Sequence, residues 1–127
     1  MQVKIDTKEK FHVITPIETT LSATMADEMK QLLLSYLELD VKNVVFDLSN
    51  ISTIDRTATE ALFRIQQDFY ENKASFVTCS FNKEIEDFWE TNDFSELLNL
   101  APTQSEASDI VQMEEIEREL MDDDILE

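Results

Sequence analysis

The chain has 127 residues, 10 of them basic and 28 acidic, for a formal net charge of −18. That length suits one domain with a core of its own, and the charge repels nucleic-acid phosphates and anionic lipid while favouring basic protein partners. There is no glycine, which excludes a Walker loop, a dinucleotide fingerprint and a GxSxG elbow, since each needs glycine where backbone meets ligand.

In chain order, "QVKID" (2–6) and "FHVIT" (11–15) alternate as two short strands joined by a polar turn. A helix follows over residues 22–38, because Ala26, Met29, Leu33 and Leu37 recur at helical spacing and Ser22 is placed to cap it. "NVVFDLS" (43–49) is short, apolar and β-branched, hence a buried strand. "TATEALFRIQQDFYEN" (57–72) gathers Ala58, Ala61, Leu62, Ile65 and Phe69 on one face of a second helix. "ASFVTCS" (74–80) is another buried strand, and "NKEIEDFWETND" (82–93) a short third helix carrying Ile85, Phe88 and Trp89. "ELLNLAP" (96–102) holds a short extended piece. Residues 103–120 make a fourth helix with Thr103 and Glu106 in capping-box spacing and Ile110, Met113 and Leu120 on one face. "MDDDILE" (121–127) reads as a frayed acidic tail. Turns that need positive φ must use asparagine or aspartate, and Asn43, Asn50, Asn72, Asn92 and Asn99 all fall near element ends.

The order β-β-α-β-α-β-α-β-α predicts one α/β domain (1–120) and an acidic tail (121–127). Its sheet is mixed and mostly parallel, with four to five strands and four helices. No apolar run has the length of a membrane span, the first residues lack a signal region, and the lone Cys79 fits a reducing cytoplasm.

The chemistry-bearing residues are sparse. His12 is the single histidine and reads as a half-buried strand residue. Cys79 alternates with Val77 and reads as core. With no His/Cys cluster, neither metal nor cofactor is expected, and no nucleophile–base set points to an enzyme. The aspartates at 122–124 lack the spacing of an EF-hand. Met25 and Met29 read as packing residues, as do Phe88, Trp89 and Phe94. The last segment, residues 104–127, holds ten acidic residues and Arg118, so 1 − 10 = −9, half the total. It is either a solvated face or a contact for a basic partner.

One stretch carries two readings. In "NVVFDLSNISTIDRTATEAL" (43–62) a buried strand leads to Asp55, and Thr57 stands at the mouth of a helix. Thr57 and Glu60 have capping-box spacing, and Asp55 can also accept from first-turn amides. Alternatively Thr57 is modified: a phosphate there would meet unpaired amides and the helix dipole, with Arg56 alongside.

This stretch resembles the central strand and D-S-S-G motif of the STAS domains, the fold of anti-sigma factor antagonists. "ITPIETTLSATMADEMKQLLL" (14–34) is similar to that family's second strand, loop and first helix, with Leu21, Ala23 and Ala26 in its L-x-A-x-x-A pattern. "FWETNDFSELLNLAPTQSEA" (88–107) resembles its late segment. The resemblance covers the chain to about residue 120. It implies a non-enzymatic switch that binds an anti-sigma factor that is also a kinase, and is released when the second hydroxyl residue of D-S-S-G is phosphorylated. Asp55 matches the motif aspartate and Thr57 the acceptor. Arg56 and Ala58 replace the first serine and the glycine. The partner-binding set is then Asp55, Arg56, Thr57, Thr59 and Glu60. The alternative within the family is a structural subunit that grips the ATPase of a lipid-trafficking transporter without phosphorylation.

Overall fold

The computed structural model describes the backbone of residues 1–126 and the side chains of residues 1–121. Five strands form one sheet in the order β1-β2-β4-β6-β7: β1 (Val3–Thr7), β2 (His12–Pro16), β4 (Val44–Asp47), β6 (Phe76–Cys79) and β7 (Leu100–Ala101). β1 runs antiparallel to β2, and every other pair is parallel. The helices are α1 (Ala26–Leu34), α2 (Arg56–Glu71), α3 (Lys83–Thr91) and α4 (Gln104–Leu126). The expected mixed, mostly parallel α/β sheet is therefore present. Two elements were not foreseen: β3 (Thr20–Leu21) and β5 (Thr53–Ile54) pair in parallel as a separate two-stranded ladder. Two-residue strands carry no periodicity that a sequence can display.

The central strands are apolar on both faces, as parallel strands covered by helices must be. Val44, Phe46 and Leu48 face a core completed by Met29 and Leu33 of α1, Leu62, Ile65 and Phe69 of α2, and Ile85 and Trp89 of α3. Val45, Val77 and Cys79, one residue out of step, face Ala107 and Val111 of α4. α4 thus covers one side of the sheet alone.

Several local expectations change. The helix expected over 22–38 is α1 flanked by 3-10 turns at Ala23–Met25 and Ser35–Glu38. Ser22 does not cap it: its hydroxyl meets that of Thr24 at 2.9 Å. α4 does not stop near residue 120 but continues to Leu126, so residues 121–126, expected as a frayed tail, extend the helix. The side chains at 122–124, considered for calcium, lie outside the described residues. Thr103 does cap α4, its hydroxyl accepting from the Glu106 amide at 3.2 Å. His12 is fully rather than half buried, with Nε2 donating to the Val41 carbonyl at 2.8 Å.

The positive-φ residues are Lys73, Ser80 and Asp93 (φ 58°, 62° and 63°), not the asparagines. Asn72 and Asn92 sit one residue earlier, as C-caps with φ −98° and −104°. Each donates its side-chain amide to the carbonyl four residues back, Asp68 and Phe88 respectively. The next residue then turns left-handed, and the amide after it bonds back into the helix: Ala74 to Phe69 (2.9 Å) and Phe94 to Trp89 (2.8 Å). This is the hydrogen bonding of a helix stop that usually employs glycine. Here lysine and aspartate hold it at some steric cost.

Candidate functional site

The loops at the carboxyl ends of β2, β4 and β6 gather beside the start of α2, the end of a parallel sheet where sites generally form. The segment between β4 and α2 is stitched to its surroundings mostly through backbone groups. The Ser52 amide donates to the Thr19 carbonyl (2.7 Å), and Asn82 Nδ2 donates to the Ser52 carbonyl (3.0 Å). Ile51 and Ile54 are buried beneath it. The loop is thus anchored by apolar side chains below and by ladder-like bonds along its length.

Asp55 is the hinge of this arrangement. Oδ1 accepts from the Ala58 amide at 2.8 Å, which makes Asp55 the N-cap of α2. Oδ2 accepts from the Ala23 amide at 2.8 Å, across 32 residues of sequence. One carboxylate therefore caps α2 and satisfies the opening of the α1 region, the task the sequence had suggested for Ser22. The Thr57–Glu60 capping box is not formed, because α2 begins at Arg56 and Thr57 lies inside its first turn.

The remaining motif residues separate into two groups. Thr57 is exposed, and its hydroxyl has no hydrogen-bond partner among the described residues. The Arg56 and Thr57 amides likewise have no acceptor among the described residues, as expected for a helix start. Arg56 is also exposed but committed elsewhere. Its guanidinium lies 5.2 Å from the centre of the Phe94 ring, Nη1 donates to Asn92 Oδ1 at 3.2 Å, and Nε is 3.6 Å from Glu60. The side chain thus bends toward the end of α3 rather than over Thr57. Ala58 is fully buried, so its methyl group belongs to the core and not to the outer surface.

Thr59 differs from Thr57 in every respect. It is buried, its hydroxyl donates to the Asp55 carbonyl at 2.9 Å, and it accepts from Trp89 Nε1 at 3.0 Å. It fastens α3 to α2 and does not reach the surface, so of the five residues expected to meet a partner it alone acts from beneath. Nothing local in the sequence marks this bond; Trp89 is 30 residues away.

The exposed surface around Thr57 mixes charged groups with hydroxyls: Asp55 and Arg56 are exposed, and Glu60 lies beside Arg56. Thr19, Thr20, Thr24, Ser49, Ser52 and Thr53 supply hydroxyls. Among its acidic side chains, Asp55 is occupied by two amides. Beside it a shallow groove of about 110 Å³ runs between Thr53 and Ile54 of β5 and Glu84, Ile85 and Phe88 of α3. Cys79 is not a competing centre: burial pushes its thiol up to about 11, with Asp47 adding to the effect. Asp47, unremarked in the sequence, is buried and accepts from the Ser49 amide (2.8 Å) and Gln104 (3.0 Å). Among the described residues no group of three or more His, Cys, Asp or Glu is placed to share a metal ion, and no helix is long and apolar enough to cross a membrane.

Comparison with known proteins follows the same lines. The family model described as STAS domain matches residues 2–107. A candidate anti-sigma factor antagonist of Thermotoga maritima superposes with a TM-score of 0.77 at 17% identity, over 87% of this chain and 94% of that one. An anti-sigma factor antagonist from Mycobacterium paratuberculosis gives 0.74 at 13% identity, over 87% and 93%. The Bacillus cell fate determinant SpoIIAA, in its phosphorylated form, gives 0.61 at 10% identity, over 87% and 99%. At such identities these likenesses establish a shared fold. No curated protein sequence matches the chain.

Proposed function

The chain belongs to the STAS domain family, and on that premise we propose that it is a non-enzymatic partner switch of the anti-sigma antagonist kind. In this reading it binds an anti-sigma factor that is also a serine/threonine kinase, in the cytoplasm, and is controlled at Thr57. The observation that carries the reading is the contrast of two hydroxyls. Thr57 is exposed and unbonded at a helix start, while Thr59, two residues on, is buried and committed twice.

The unmodified surface presents the free Thr57 hydroxyl on backbone held in place by Asp55 and Asn82, and a partner docks there. The kinase then transfers a phosphoryl group. Thr57 Oγ attacks the γ-phosphorus of ATP, the bond to ADP breaks, and the hydroxyl proton leaves to a base of the kinase. The product gains about −1.5 to −2 charges. The Arg56 and Thr57 amides and the helix dipole hold that phosphate. The Asp55 carboxylate, fixed between the Ala23 and Ala58 amides, cannot move away from it. The added charge makes a surface that already carries Asp55 and Glu60 strongly anionic, and the partner leaves. The buried methyl of Ala58 does not obstruct the approach to Thr57. Asp55, Arg56 and Glu60 shape the rim, and Thr59 holds the helix start in place from below.

The test is recovery of the native protein from its own cytosol, with intact-mass analysis, alongside Thr57→Ala and Thr57→Asp variants. The expected result is one added phosphate mapping to Thr57, a kinase retained by Thr57→Ala and lost by Thr57→Asp. An unmodified chain whose Thr57→Asp variant keeps its ATPase partner would replace the switch with a structural subunit, such as that of a lipid-trafficking transporter.

A further inference from the structure

α4 is apolar on two opposite sides. Its inner side, Ala107 and Val111, is buried against the sheet. Its outer side carries Met113, Ile116 and Leu120, which are 61%, 55% and 58% exposed. At about 100° per residue these three share one stripe, roughly opposite Ala107 and Val111 and about 10 Å long. The helix cannot roll to hide them. Arg118 Nη2 donates to Asn43 Oδ1 (3.2 Å) and Ser75 Oγ (3.1 Å), and Ser75 Oγ donates to Glu114 Oε1 (2.6 Å), so the rotation of α4 is set by bonds to the sheet. The stripe lies beyond residue 107, where the match to the shared domain ends.

We infer that this stripe is a second docking surface, and that its occupant is a basic amphipathic helix of a protein partner. Apolar anchors at i, i+3 and i+7 are the spacing with which one helix seats on another. The sign of the partner follows from the surroundings. Segment 104–127 carries 1 − 10 = −9, and Glu117 and Glu119 flank the stripe on either side; Lys10, from the turn between β1 and β2, is a basic group beside it, sharing a small pocket with Ile116 and Glu119. A second copy would set −9 against −9, and an anionic membrane surface is repelled in the same way. A helix with apolar residues along one seam and Lys or Arg beside it satisfies both the stripe and its rim. This surface is separate from Thr57, so the inference stands or falls apart from the switch.

The test uses two labelled synthetic helices about three heptads long, with the same leucine seam. One has Lys and Arg at the flanking positions, the other Glu. Binding to the full chain is followed by fluorescence anisotropy, and self-association by sedimentation. The basic helix is expected to bind, more weakly as salt rises, and the acidic helix not to bind. Ile116→Glu discriminates further: it adds negative charge, so simple charge attraction would strengthen binding, whereas docking on the stripe predicts at least a tenfold loss. Met113→Ser, a milder change, should give a smaller loss in the same direction, and circular dichroism verifies that both variants fold. Thr57→Asp should leave the peptide affinity unchanged. The inference is overturned if the basic helix binds no better than the acidic one, if Ile116→Glu binds it as well or better, or if sedimentation reveals a dimer that Ile116→Glu dissolves.

Discussion

The two ends of the sheet solve opposite problems. At the amino end of β4 and β6, side chains bond to side chains. Asn43 Nδ2 donates to Glu115 (2.9 Å), Arg118 donates to Glu115 (2.8 Å), Tyr70 donates to Glu114 (2.7 Å), and Asn99 donates to the Tyr70 oxygen (2.5 Å). At the carboxyl end, the principal bonds are made to backbone amides and carbonyls, with Asp55 and Asn82 as intermediaries. The first arrangement consumes its polar groups to fasten α4, which has few apolar contacts of its own. The second holds the backbone still and leaves the Thr57 hydroxyl free. A surface that must recognise a partner needs the latter, because preorganised loops lose little entropy on binding.

Substitutions can break this contrast, the largest effect first. Asn43→Ala strips a buried side chain that accepts from the Ser75 amide (2.8 Å) and donates to the Lys10 carbonyl (2.9 Å). It should cost about 3 kcal/mol in urea unfolding, since buried groups are left unpaired. Asp55→Ala removes one carboxylate serving two amides and should cost about 2 kcal/mol, while Asp55→Asn retains part of that. The two threonines sharpen the point. Thr59→Val deprives Trp89 of its acceptor and should cost about 1 kcal/mol, whereas Thr57→Val should stay within about 0.5 kcal/mol. Equal losses at the two positions would mean that Thr57 is structural.

The amino end should also be the acid-sensitive one. Burial by itself raises the Glu115 carboxyl, but hydrogen bonds from Arg118 and Asn43 outweigh it and hold the group below its ordinary value. A depressed carboxylate contributes stability above its unfolded pKa and loses it as pH falls through the folded one. Stability should therefore decline below about pH 4.5, and the Glu115→Gln variant should decline less over that window in pH-dependent unfolding. The remaining effect is a gain. Lys73 has φ 58° at the stop of α2, and Lys73→Gly should raise stability by about 0.5–1 kcal/mol, read as a higher unfolding midpoint.

Much of the architecture was legible because periodicity is local. The apolar run at 43–49, the repeated face of Leu62, Ile65 and Phe69, and the Thr103 cap announce β4, α2 and α4 without reference to anything distant. Asp55 and Thr57 were also visible as a pair at a strand-to-helix junction. Their division of labour was not, since local spacing favoured Thr57 as the cap while the folded chain gives that task to Asp55. Likewise the asparagines were rightly placed at helix ends, yet the left-handed residue is the one that follows, at Lys73 and Asp93.

By itself, then, the amino-acid order determined the element order, the two-sided burial of the sheet, the absence of glycine-dependent chemistry and the acidic character of the last helix. Only the tertiary structure decided that Asp55 reaches the Ala23 amide, that Thr59 is locked to Trp89, and that Met113, Ile116 and Leu120 face outward. The reason is distance along the chain. Helical and strand periods, and most caps, are set within a few residues. A bond spanning 30 or 32 positions, or a helix rotation fixed by a network on the sheet, exists only once packing has brought the partners together.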